Sequence, residues 1–179
     1  ALAGDFVPFA VNVEAGAASG VLRDHLPLCE QLGSMFAGLA EGLPATIDLE
    51  LQGEIGESDP SLAKLSFLKG LLGNIGGDPV SYVNAARLAE QRSLDVRVIT
   101  TPGEKGRSNL VRVTGDVHSL AGSISPIDGN PRLNEVDGHR LDIRPSDDML
   151  IVRNHDIPGM VGIVGTMVGD ACLLYTSDA

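Results

Sequence analysis

The segment Thr46–Ile55, with the sequence TIDLELQGEI, places apolar and polar side chains in alternation. Ile47, Leu49 and Leu51 fall on one side of an extended chain, and the polar side chains between them fall on the other. This pattern predicts a strand with one buried face. A one-sided strand is typical of an antiparallel or mixed sheet, because all-parallel sheets are usually covered on both faces.

Segments with helical spacing lie on both sides of this strand. Before it, apolar residues recur at helical spacing through Leu22–Ala40, and Gly42 and Pro44 end that pattern. After it, a helix is predicted at Ser61–Ile75 and another at Tyr82–Arg92.

From Asp95 onward the period of the apolar residues changes to two, and turn signals such as Pro102-Gly103 and Asp128-Gly129-Asn130 separate successive strands. The predicted strands are Asp95–Thr100, Asn109–Val117, Leu120–Ser125, Arg132–Val136, His139–Ile143 and Met149–Val152. Helices that precede a group of strands predict an α+β fold, in which the helices pack on a mixed or antiparallel sheet.

The segment Leu150–Ala171, LIVRNHDIPGMVGIVGTMVGDA, combines an apolar run, a polar turn and a glycine-spaced helix that begins at Pro158. Proline suits the first turn of a helix, where free N–H groups favour an anion. Asn154 and Asp156 precede the helix and are placed to accept hydrogen bonds from an ammonium group. Together these features would suit an amino-acid zwitterion. The alternative is that Asp156 only caps the helix and Asn154 only ends a strand.

This strand–turn–helix order resembles the start of an ACT domain, in particular the C-terminal ACT domain of D-3-phosphoglycerate dehydrogenase. The resemblance implies an L-serine site at Asn154, Asp156, Pro158 and Gly159. A second strand should follow in an ACT domain, but residues 172–179, CLLYTSDA, do not fit that pattern and are expected to be a non-native tail. The ferredoxin-like ACT domain is therefore expected to be truncated and to span residues 146–171.

Two further segments resemble the same family. Residues 1–15, through ALAGDFVPFAVN, are similar to the end of the catalytic core of D-2-hydroxyacid dehydrogenases. Residues 16–145 are similar to the intervening domain of long-form D-3-phosphoglycerate dehydrogenases, with landmarks at Val83-Asn84-Ala85 and at Asp137-Gly138-His139. The resemblance implies a regulatory region of a homo-oligomeric enzyme that uses NAD to oxidise 3-phosphoglycerate, the first step of L-serine synthesis.

Basic residues cluster near the end of the predicted intervening domain: Arg132, His139, Arg140 and Arg144. In an extended chain Arg140 and Arg144 share a face and His139 points to the other, and two guanidinium groups on one face can bind a phosphate. The resemblance implies a site for an anion or a phosphate-bearing substrate here, most directly at Arg144. In the alternative interpretation the arginines only pair with surface carboxylates. The candidate partners are Asp137, Asp142, Asp147 and Asp148.

Composition and motifs exclude several other classes of protein. The formal net charge of −11 argues against nucleic acid and against an anionic membrane surface as partners. Cys29 and Cys172 form neither a disulfide framework nor a metal motif, which favours the cytoplasm. No G-x-G-x-x-G fingerprint lies between a predicted strand and helix, so no catalytic or cofactor-binding residue is assigned, and NAD would bind elsewhere in the parent enzyme.

Two other functions stay open at this point. The chain could be a free-standing amino-acid-binding module, although the match at residues 1–12 favours the dehydrogenase. It could also be a fragment of L-serine dehydratase, whose small domain has a similar architecture. That enzyme needs cysteines that ligate an iron–sulfur cluster, and Cys29 alone does not meet this requirement.

Overall fold

The computed structural model describes residues 20–75, 79–102, 109–146, 148–155 and 157–171. The chain divides into two units between Pro145 and Ser146, and each unit is described by itself. The first contains α1 (Gly20–Leu39), β1 (Thr46–Gln52), a 3-10 helix (Glu54–Glu57), α2 (Ser61–Gly73), α3 (Ala85–Gln91), β2 (Asp95–Thr101), β3 (Leu110–Thr114), β4 (Ser119–Ile124), β5 (Pro131–Val136) and β6 (His139–Ile143). The second contains α4 (Met160–Asp170).

The six strands form one mixed sheet in the order β2-β1-β3-β4-β5-β6. Strands β1 and β2 are parallel, and every other neighbouring pair is antiparallel. The chain passes from β1 to β2 through α2 and α3, since parallel neighbours need a long crossover connection. The predicted α+β fold with helices on a mixed sheet is confirmed.

The alternation in β1 sets the side of the sheet on which the core forms. Ile47, Leu49 and Leu51 are fully buried. The antiparallel register places Leu49 opposite Val113 and Leu51 opposite Val111, so the apolar faces of β1 and β3 coincide. Helix α1 packs against β3 and β4, and α2 packs against α1. One face of the sheet is thus covered by helices, and the other carries the polar side chains.

Two glycines allow α1 and α2 to approach each other closely. A Cβ atom added at Gly33 would overlap the backbone oxygen of Phe67, and one added at Gly70 would overlap that of Glu30. The same interface contains a buried hydrogen bond of 2.6 Å from the Ser66 hydroxyl to the Leu26 carbonyl oxygen. The helices therefore meet backbone to backbone, and no larger side chain fits at either glycine.

Helix α3 and strand β3 are shorter than predicted, because local hydrogen bonds form turns at their ends. Helix α3 begins at Ala85, not Tyr82, because the Asn84 side-chain oxygen accepts the Ser81 N–H at 2.7 Å and forms a turn first. Strand β3 ends at Thr114, not Val117, because the Gly115 N–H donates to the His118 carbonyl in the turn to β4.

The end of β1 is also corrected. The strand stops at Gln52 rather than Ile55 because Gly53 adopts a φ of 96°, in the left-handed region that favours glycine. The 3-10 helix Glu54–Glu57 follows directly.

The second unit differs more from its prediction. Residues 149–152 are not in a strand, so the predicted strand Met149–Val152 is wrong. A strand needs a neighbour for its backbone groups, and the described residues of this unit contain no other strand. Helix α4 begins at Met160, two residues later than predicted, and none of its described side chains is buried.

We predict that Gly70→Ala destabilises the fold, whereas Gly73→Ala in the same helix does not. The added methyl at Gly70 meets the α1 backbone, and overpacking of this kind costs about 1–3 kcal/mol. At Gly73 nothing lies within 4 Å, so the higher helix propensity of alanine should stabilise by up to about 1 kcal/mol. Urea unfolding followed by circular dichroism measures both, and equal effects at the two positions would contradict the close helix contact.

Candidate functional site

The open face of the sheet, opposite the helices, carries a row of charged side chains. Arg112 in β3 and Glu135 in β5 are both opposite Ala121 of β4, which lies between them. The Arg112 guanidinium reaches across Ala121 and binds both carboxylate oxygens of Glu135, at 2.5 and 3.1 Å. Ala121 is 1% exposed although it lies on the open face, because this ion pair covers it. The pair ties β3 to β5 over a small residue.

At one end of the sheet, the turn between β4 and β5 is held by its own hydrogen bonds. The Ser125 N–H donates to the Asn130 carbonyl and the Gly129 N–H donates to the Ser125 carbonyl, both at 2.9 Å. The Asn130 N–H donates to Oδ1 of Asp128 at 3.1 Å. Gly129 has a φ of 67°, which suits glycine at the tip of the turn. Asp128 is therefore fixed in position by one of its two carboxylate oxygens.

The other oxygen of Asp128 brings two of the predicted arginines together. Arg132, in β5, donates from Nη2 to Asp128 Oδ2 at 3.0 Å. Arg144, directly after β6, donates from Nη2 to the same oxygen at 2.9 Å. Two guanidinium groups from different parts of the chain thus converge on one anionic oxygen. This is the arrangement that binds carboxylates and phosphates in proteins.

Hydrogen bonds hold the pKa of the Asp128 carboxyl well below its usual range. The backbone N–H of Asn130 is the largest cause, followed by the Asn130 side chain, Ser125 and Arg144. Since all of these favour the charged form, Asp128 is a carboxylate at neutral pH. The two arginines consequently face a full negative charge.

Arg140 and His139 lie elsewhere on β6. Arg140 is opposite Glu135 in the β5–β6 pairing and, after Arg112, helps to lower the pKa of the Glu135 carboxyl. His139 is opposite Val136, on the other face of the sheet, and is exposed. The structure therefore joins Arg144 to Arg132 through Asp128, whereas the sequence favoured Arg140 as the partner of Arg144.

The alternative interpretation paired these arginines with surface carboxylates, of which Asp147 lies outside the described residues. Asp137 accepts from the Ser119 N–H at 2.9 Å and lies 3.0 Å from Nδ1 of His118. Its φ of 48° places it in the tight turn between β5 and β6, at the opposite end of those strands. Asp128 takes the predicted role, although the sequence indicated only a turn at Asp128-Gly129-Asn130. No feature of the sequence signals that this turn meets the end of β6.

The residues of the predicted serine site lie in the second unit. Asn154, Pro158 and Gly159 are exposed, and Asp156 lies outside the described residues. Gly159 has a φ of 91° and precedes the first residue of α4. The Met160 N–H donates to the Ile157 carbonyl at 3.3 Å, so it is already occupied by the turn. The described part of this segment is an exposed turn followed by a helix.

Metal ligands and thiols are the other groups of chemical interest in the described residues. No cluster of three or more His, Cys, Asp or Glu side chains there could hold a metal ion. Burial raises the pKa of the Cys29 thiol to about 12, so this cysteine is a poor nucleophile. None of the described helices is long and apolar enough to cross a membrane.

The fold is an α+β domain in which Arg132 and Arg144 meet Asp128 at one end of the sheet. The family model for the D-3-phosphoglycerate dehydrogenase intervening domain matches residues 21–137, more than half of the chain. The chain therefore belongs to the D-3-phosphoglycerate dehydrogenase intervening-domain family, as the sequence resemblance predicts.

Three relatives illustrate how much of the full-length proteins is represented. A D-3-phosphoglycerate dehydrogenase of Mycobacterium leprae is 34% identical over 96% of this chain, which covers 33% of the relative. One of Methanocaldococcus jannaschii is 31% identical over 84% of this chain and 29% of the relative. A chloroplastic D-3-phosphoglycerate dehydrogenase of Arabidopsis thaliana is 26% identical over 95% of this chain and 31% of the relative. The chain spans about a third of the length of these relatives.

We predict that Glu135→Gln lowers stability at pH 7 by on the order of 1 kcal/mol, since the pair with Arg112 is only partly exposed. Arg112 lowers the pKa of Glu135 in the folded state, so the unfolded chain binds the proton at a higher pH, near 4.3. The stabilisation is therefore present above that pH and is lost as the pH falls through the lowered value.

Melting temperatures of the parent and of Glu135→Gln should accordingly differ by a constant amount from pH 7 to about 5 and converge toward pH 3. Glu41→Gln, at an exposed position outside the sheet, is the control and should change little at any pH. A difference between parent and Glu135→Gln that persists undiminished at pH 3 would show that the ion pair does not stabilise the fold.

Proposed function

We propose that this chain is the regulatory region of an NAD-dependent D-3-phosphoglycerate dehydrogenase and that it binds anions at Arg132 and Arg144. Family membership and the relatives of known name support the enzyme. The convergence of both guanidinium groups on a single oxygen of Asp128 supports the anion site and is the observation that carries it. The bound molecule would be inorganic phosphate, a phosphate-bearing substrate or a similar oxyanion.

The chemistry of this site is binding rather than catalysis. Arginine stays protonated at all physiological pH values and presents paired donors that match phosphate oxygens. The Arg144 side chain is 58% exposed, so an anion can reach it from solvent. In the whole enzyme, an anion held here would act on a distant catalytic site by changing the orientation or assembly of domains, which is a coupling between two sites.

A second effector, L-serine, is proposed at the turn before α4, with Asn154, Asp156, Pro158 and Gly159 as one wall. The support is the exposed turn in which Gly159 precedes the helix start. A serine site of this kind would be completed by an ACT domain of a second subunit, so the regulatory region would act in a homo-oligomer. Family membership favours this function over a free-standing amino-acid-binding module and over a fragment of L-serine dehydratase.

The anion site predicts that phosphate protects the parent chain from thermal unfolding and that Arg132→Ala/Arg144→Ala does not gain this protection. A ligand at 100 times its dissociation constant adds about 2.7 kcal/mol, which is a shift of several degrees in a melting assay. Arg97→Ala removes an arginine that pairs with Asp48 at the other edge of the sheet and should retain full protection. Arg140→Ala should retain most of it, because Arg140 faces Glu135.

Equal protection of the double variant and the parent would contradict the proposed anion site. Loss of protection in Arg97→Ala as well would indicate a general effect of charge and would also contradict it.

For serine, we predict only weak binding by this chain, which supplies one wall of the site. Each charged end of the ligand that stays unpaired costs about 1–3 kcal/mol, and two such losses weaken binding roughly a hundredfold or more. Calorimetric titration of the chain is compared with that of a variant in which residues 172–175 are replaced by Gly-Val-Asn-Ile. Tight binding of L-serine by the unmodified chain would show that the site is misplaced.

A further inference from the structure

We propose that Asp128 is a resident carboxylate that an external anion must displace from Arg132 and Arg144, and that it thereby selects multiply charged anions. This inference rests on the proposed anion site, and it assigns to one residue the control of which anions the site accepts. The contacts of Asp128, its exposure and its charge each support it.

The two carboxylate oxygens of Asp128 have separate roles. Oδ1 accepts the Asn130 N–H at 3.1 Å and holds the turn. Oδ2 accepts from both Arg132 and Arg144, at 3.0 and 2.9 Å. The position between the two guanidinium groups is thus already occupied by an oxygen that belongs to the chain. An external oxyanion needs that same position.

The exposure of the turn allows Oδ2 to leave. Residues 126–129 are all exposed, and the Ile127 side chain is 94% exposed. Because Asp128 itself is an exposed residue, its side chain can rotate away from the arginines into solvent, at the cost of the hydrogen bond that Oδ1 accepts from the Asn130 N–H. The buried Ser125, which is 8% exposed, anchors the start of the turn and need not move.

Charge then determines which anions can replace Asp128. A carboxylate tethered beside the arginines competes at a high effective concentration, so a free monocarboxylate such as acetate gains nothing by the exchange. A phosphate dianion carries more charge and can accept from both guanidinium groups through different oxygens. It also repels Asp128 at close range, because like charges placed together are unfavourable. The site should therefore accept phosphate and reject acetate.

The test uses Asp128→Asn in the complete 179-residue chain, with titrations of inorganic phosphate and of acetate. Asparagine keeps a side-chain oxygen for the Asn130 N–H, so the turn is retained while the negative charge is removed. Asp116→Asn is the matched control: it removes one exposed carboxylate in the turn between β3 and β4, at the opposite end of the sheet.

We expect Asp128→Asn to bind phosphate at least roughly tenfold more tightly than the parent and to gain measurable binding of acetate. Without an added anion its melting temperature should be lower than that of the parent, because the two arginines lose their counter-charge. With saturating phosphate the order should reverse, which a purely structural role of Asp128 would not produce. Arg132→Ala/Arg144→Ala in the Asp128→Asn background should abolish both gains.

Other outcomes would overturn the proposal in distinguishable ways. If parent and Asp128→Asn bind phosphate equally and through the arginines, Asp128 is no competitor, but the anion site stands. If Asp116→Asn gains as much as Asp128→Asn, only the net charge of the chain matters. If Asp128→Asn binds no phosphate at all, the anion site fails together with its proposed control.

Discussion

The structure depends on covering one apolar face of the mixed sheet. Strand β1 lies inside the sheet, and its inward side chains Ile47, Leu49 and Leu51 are completely buried. Each buried aliphatic side chain of this size contributes about 1.5–3 kcal/mol, so loss of the covering helices would remove the main favourable term of folding. Helix α1 covers the part of this face that β3 and β4 form, and α2 packs on α1 through the close contacts at Gly33 and Gly70.

Because the helices occupy one face, all charged side chains of the strands are sorted to the other. There the small size of Ala121 lets Arg112 reach Glu135 across an intervening strand. Arg132 and Arg144 are placed by the same sheet, one within β5 and the other directly after β6. The antiparallel pairing of β5 and β6 brings residues twelve positions apart to one end of the sheet, where both meet Asp128. The site is therefore a consequence of strand pairing rather than of a local motif.

Family membership gives this geometry its biological setting. The chain matches the intervening domain of D-3-phosphoglycerate dehydrogenase over residues 21–137 and spans about a third of its relatives' length. The regulatory role proposed for such a region is supported by the convergence of Arg132 and Arg144 on one carboxylate oxygen. With Asp128 as the proposed competitor, the arginine pair would respond to changes in anion concentration, because Arg144 is open to solvent.

The sequence by itself determined the helices and strands between residues 20 and 143 and their order along the chain, because apolar residues repeat with a period of 3.6 in helices and 2 in strands. It did not determine the order of the strands in the sheet, and it placed a strand at Met149–Val152 where there is none. It also placed Arg132 and Arg144 among the candidate ligands. Local side-chain hydrogen bonds, such as that of Asn84, moved the element ends. The tertiary structure alone decided that Arg144 meets Arg132 and not Arg140, and that Asp128 lies between them. The physical reason is that strand register and turn geometry fix distances between residues far apart in the chain, and no local pattern encodes them.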